Sequence, residues 1–116
     1  MNIDRMKRVI KRIEEAPDSK FEMRYFVNHC GTSMCIAGHT CLEAGMKLVK
    51  NEVFPDFVDK DNNVIDPQTV AKDYLGLDEY MSDQIFLGRW SDKTMDEITK
   101  EEALNYLRNL VQGNAK

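Results

Sequence analysis

The sequence predicts a mainly α-helical single domain, residues 1–116, of about five helices with at most a small β-hairpin. Three observations lead there. Apolar residues recur at helical spacing along most of the chain, and start and stop residues bracket each such stretch. The alternation typical of strands is confined to short segments. At 116 residues the chain suits one hydrophobic core. With 42% hydrophobic and 31% charged residues it has the composition of a soluble globular protein, which excludes bulk disorder.

The first helix is expected over 3–15. Ile3, Met6, Val9, Ile10 and Ile13 fall on one face, Asn2 can cap the start, and Pro17-Asp18-Ser19 ends it. Its other face carries Arg5, Lys7, Arg8, Lys11 and Arg12, read as a solvated face because no aromatic residues interleave it. Phe21, Met23, Tyr25 and Val27 alternate with their neighbours and suggest a short extended segment. Thr32 or Ser33 can then cap a helix over Met34–Ala44, with Gly45 as its stop. That helix is apolar on nearly all sides, so it belongs at the centre of the domain.

Val53-Phe54, Phe57-Val58 and Val64-Ile65 flank the polar turn 59–63, a hairpin or irregular loop. Asp66-Pro67 opens a helix that buries Val70, Ala71, Tyr74 and Leu75 and ends at Gly76. Another runs from Asp78 to about Leu87, burying Met81, Ile85 and Phe86. After the turn Gly88–Asp92, Thr99 and Glu102 form a capping box. The last helix follows, with Ala103, Leu104, Leu107, Leu110 and Val111 inward and Gly113 as its expected end.

Charge restricts the partners. Net charge is −4, but residues 1–50 carry nine basic against six acidic side chains, and residues 51–116 seven against fourteen. An acidic chain has no long-range attraction for nucleic acid or anionic lipid, so neither nucleic acid nor membrane is an expected partner. The dipolar distribution suits docking on another protein or on a second copy. No apolar leader and no long apolar run is present, and the odd, crowded cysteines point to free thiols in a cytoplasmic location.

All cysteines and histidines, His29, Cys30, Cys35, His39 and Cys41, lie within 13 residues. Cys35 near a helix start would have its thiolate favoured by unpaired N–H groups. A catalytic dyad needs a histidine approaching from across a cleft; none follows residue 39, and His29 could reach the thiol only from the preceding loop. The expected role is therefore a small buried hydrophobe. Cys35 and His39 are also about 40° apart around a helix, half of a metal site that Cys30 or His29 could complete. Cys41 falls about 240° away and cannot join. No paired CxxC is present, so no metal and no cofactor is expected. A small zinc- or thiol-dependent protein using Cys30, Cys35 and His39 is the alternative reading.

Asp59-x-Asp61-x-Asn63 opens like a calcium loop, but Val64 and Val70 stand where glycine and the bidentate glutamate should be. Nucleotide-binding, zinc-protease, deaminase and serine-hydrolase motifs are absent. Trp90, the single tryptophan, sits in a turn between helices beside Arg89 and two residues before Asp92. Tryptophan and arginine dominate binding hot spots, which makes Arg89, Trp90 and Asp92 the expected partner-binding residues. The competing role for Trp90 is closing the core beneath the last helix.

The segment Cys30-Gly31-Thr32-Ser33-Met34-Cys35-Ile36-Ala37-Gly38 resembles a CGTxxCIAG motif in an uncharacterised family of small bacterial and phage proteins. Leu75-Gly76-Leu77, Gln84, Phe86, Trp90, and Thr99 with Ala103 match its later positions, so the likeness spans about two thirds of the chain. In that family the position of His39 is often Trp, that of Cys41 often Ala, and a Pro usually follows the tryptophan where Ser91 stands here. The resemblance implies no activity. It implies a packing motif: Ala37-Gly38 lets another backbone approach closely. The expectation is a non-enzymatic binding module encoded by a phage or mobile element. It would act on a host protein or small ligand, for example as a counter-defence inhibitor, with a homo-oligomer also compatible.

Overall fold

A computed structural model describes residues 1–23, 34–49 and 55–114. Tyr25, Val27, Thr32, Ser33, Val53 and Phe54 of the expected elements lie outside the described residues, as do the candidate ligands His29 and Cys30. Among the described residues the fold is mainly α: five helices and one two-stranded antiparallel sheet. The helices are α1 (Ile3–Glu15), α2 (Ile36–Glu43), α3 (Pro67–Leu75), α4 (Glu79–Phe86) and α5 (Lys100–Asn114). Strands β1 (Lys47–Val49) and β2 (Asp56–Val58) lie between α2 and α3, and short 3₁₀ turns occupy Asp18–Lys20 and Met95–Glu97.

Helix α1 forms as its pattern predicts. The Asn2 side chain accepts the Arg5 N–H at 3.1 Å, and Met6, Val9, Ile10 and Ile13 are buried. Its polar face is less solvated than expected. The Arg5 guanidinium lies 4.5 Å from the Tyr74 ring centre and donates to the Tyr74 carbonyl, while Arg12 pairs with Glu43 at 2.8 Å. Two of the five cations therefore tie α1 to α3 and α2. A third tie comes from α5: Lys100 donates to the carbonyls of Glu14 and Ala16, satisfying groups that the end of α1 leaves unpaired.

Helix α2 is the centre of the core, with Ile36 to Cys41 all buried. Its first helical residue is Ile36, two later than the spacing suggests, because Cys35 in extended conformation is the N-cap. Residue 34 is instead used in a bridge: Met34 N–H donates to the Lys20 carbonyl and Glu22 N–H to that of Met34. The exits of α2 and α3 are alike. Gly45 and Gly76 have positive φ, and paired bonds such as Gly76 N–H to Asp73 and Leu77 N–H to Lys72 close the last turn.

The sheet register sets Lys47 opposite Val58, Leu48 opposite Phe57 and Val49 opposite Asp56. A second turn follows at once, with Val58 bridging Val64. The Asp59 carboxylate accepts the N–H groups of Asp61 and Asn63, so the residues that resemble a calcium loop bind their own backbone. Asp66 is the N-cap of α3 by backbone position, but its carboxylate takes the Thr69 hydroxyl rather than a backbone N–H. Asp78 caps α4 by accepting the Met81 N–H at 2.7 Å. The capping box of α5 is complete: Glu102 N–H donates to the Thr99 hydroxyl, and Thr99 N–H to the Glu102 carboxylate. Gly113 does not end α5, which runs to Asn114. A glycine with open space around it near a helix end lacks the contacts or strained φ that would force a stop.

Candidate functional site

Two regions hold the residues with chemical potential. The first is α2. The Cys35 thiol is buried at the helix start. Burial pushes its pKa up to about 11, although the backbone N–H groups of Gly38 and Ala37 pull the other way. The helix terminus therefore acts as expected on the thiol but loses to desolvation, since the low-polarity core penalises the charged form more. Cys41 is pushed to about 12, first by burial and then by the charges of Cys35 and Asp66, and its S–H donates to the Pro67 carbonyl at 3.3 Å. Cys41 faces α3, away from His39, as the helical angle requires.

His39 is 4% exposed and stacks on Phe21 with ring centres 6.2 Å apart. Its Nε2 lies 3.1 Å from the Lys20 carbonyl, an acceptor only, so that nitrogen carries the proton and donates. Burial lowers the His39 pKa to about 4; the carbonyl bond opposes this, and Arg12 and Lys100 add to it. The imidazole is neutral at pH 7, and Nδ1 is buried without a partner among the described residues. Cys35, the N-cap of α2, and His39 lie one turn apart, the His39 N–H donating to the Cys35 carbonyl, as sequence spacing implies. Among the described residues no group of three metal-ligating side chains converges. Cys30, the third member of the alternative set, lies outside them.

The second region is the turn after α4. Gly88 has φ of 68°, and a side chain there would meet the Ile98 Cδ1 at 2.9 Å. The left-handed backbone favours glycine here, and a Cβ would also make the end of the Ile98 side chain shift. The turn sends Trp90 onto α5. The indole and the Tyr106 ring stack at 4.5 Å with 10° between planes. Trp90 is partly buried, and its indole nitrogen is shielded from solvent without a hydrogen-bond partner among the described residues. Arg89 is exposed and lies 4.0 Å from Asp83 on α4, and Asp92 is exposed.

Sequence reasoning missed two members of this face. Tyr106 flanks the buried stripe of α5, its phenol pKa pushed up by burial and then by the charge of Tyr80. Tyr80 itself is 70% exposed on α4. A tyrosine three residues from Ala103 and four from Leu110 is the signal that could have flagged Tyr106. Nothing in the pattern of α4 signals that the charge of Tyr80 acts on it. No protein-family model, no curated protein and no solved structure matches this chain. Among the described residues no helix is long and apolar enough to cross a membrane.

Proposed function

We propose that this protein is a non-enzymatic binding module that acts by occupying another protein through the face formed by Tyr80, Arg89, Trp90, Asp92 and Tyr106. The observation that carries this reading is the stacked Trp90–Tyr106 pair, with Arg89 exposed in the same turn as Trp90. Aromatic residues and arginine offer large rigid contact area at low entropic cost, with donors at the edge. Because Trp90 is already held against α5, binding need not order it. The protonated, buried state of Cys35 and Cys41 and the neutral His39 support a reading without catalysis, since thiolate formation is disfavoured. The likeness of residues 30–38 to small bacterial and phage proteins is compatible with origin in a phage or mobile element, with a host protein in the cytoplasm as the target.

The test uses the exposed members. Tyr80→Ser and Arg89→Ala should leave the melting midpoint unchanged and abolish a stoichiometric complex formed by the wild-type protein with its host target. A complex that survives both substitutions rejects this face as the docking surface.

A further inference from the structure

A different part of the molecule, sharing no residue with the aromatic face, forms a groove of about 780 Å³ between α1 and α2. That volume lies within the range of roughly 300–1,000 Å³ typical of small-molecule sites. Helix α1 lines the groove with Arg8, Lys11 and Arg12, and the 3₁₀ turn adds Lys20. The floor is apolar, from Met34, Leu42 and Leu48, and closed by the neutral His39 ring.

The charge balance of the groove is the informative feature. Two carboxylates line it, and each is already paired: Glu43 with Arg12 at 2.8 Å and Glu15 with Lys11 at 3.9 Å. Arg8 and Lys20 have no carboxylate partner among the described residues. A chain of net charge −4 therefore keeps a concave surface whose described lining residues carry an excess of two positive charges. A cleft of one sign above a low-dielectric floor concentrates the opposite ion. Guanidinium and ammonium groups together suit an oxyanion, the first through its planar fork and the second as a movable point charge.

We infer that the groove between α1 and α2 binds a small organic dianion, a phosphate or dicarboxylate head carried on an apolar body. The head sits between Arg8 and Lys20, and the body lies on Met34, Leu42 and Leu48. The compact volume and the two uncompensated cations among the described lining residues favour a small molecule over an extended polyanion, whose affinity requires many phosphate contacts. This site stands independently of the docking face.

The test is calorimetric titration with phenyl phosphate, phthalate, inorganic phosphate and phenol. Phenyl phosphate or phthalate should bind at least tenfold more tightly than either inorganic phosphate or phenol, and the tighter of the two identifies the head group. The double substitution Arg8→Gln/Lys20→Gln should weaken that binding tenfold or more. Both side chains are exposed, so the melting midpoint should not move. Lys60→Gln, an exposed cation on the second turn, should leave binding unchanged. Absence of saturable binding, equal affinity for inorganic phosphate and phenyl phosphate, or full binding by the double variant would each overturn the assignment.

Discussion

Helix α2 and the turn at residues 88–92 hold the residues that draw attention in the sequence, and the fold treats them oppositely. In α2 the reactive types, Cys35, His39 and Cys41, are buried, and burial disfavours the charged form of each. In the turn, Arg89 and Asp92 stay in water and Trp90 lies at the margin between core and solvent. The difference teaches that residue type suggests chemistry, while solvent access decides it. A thiol beside helix N–H groups becomes reactive only if water or a cation compensates its charge.

The largest effect that could break this comparison is in thiol reactivity. At pH 7.5 under native conditions, Cys35 and Cys41 should react with a disulfide reagent more than about a hundredfold more slowly than in the unfolded chain, because thiolate is scarce and access is blocked. Peptide mapping after timed labelling measures this. Rapid labelling of Cys35 would restore the thiol-dependent reading. Zinc in stoichiometric amount, lost on Cys35→Ser, would have the same consequence.

Packing gives the next contrast. Ile36 is fully buried, so Ile36→Ala should cost about 2–5 kcal/mol by urea denaturation. Trp90→Ala should cost less, about 1–2 kcal/mol, since the indole is only partly buried and much of its contact is the stack on Tyr106. Equal losses at the two sites would place Trp90 in the core and remove it from the docking face.

His39 sharpens the comparison through pH. Its folded pKa of about 4 lies below the ordinary value of 6.5, so only the unfolded chain takes up a proton between those values. Stability is complete above about pH 6.5 and is lost as pH falls towards 4, by about 2 kcal/mol at pH 5. His39→Gln should remove most of the difference in urea midpoint between pH 7 and pH 5. A wild-type midpoint that does not change over that interval would show that the imidazole is solvated. At the small end, Arg89→Ala and Asp92→Ala should each shift stability by no more than about 0.5 kcal/mol, as exposed substitutions do.

Much of the fold was legible in the sequence because its cues are local. The stripe of α1, the Asn2 and Asp78 caps, the Thr99–Glu102 box and the stops at Gly45 and Gly76 depend on residues within a turn or two of each other. The burial of α2 was also legible, since a helix apolar on nearly all sides has no face to give to water. The delayed start of α2 was not, because Met34 is held by Lys20 and Glu22 across a separate segment. Likewise Arg5 on Tyr74, Lys100 on the end of α1 and Trp90 on Tyr106 join residues well separated in the chain. Local hydrogen bonding and periodicity are written in neighbouring residues. Which charges find partners, and which aromatic rings share a face, follows from how helices pack, and only the tertiary structure decides that.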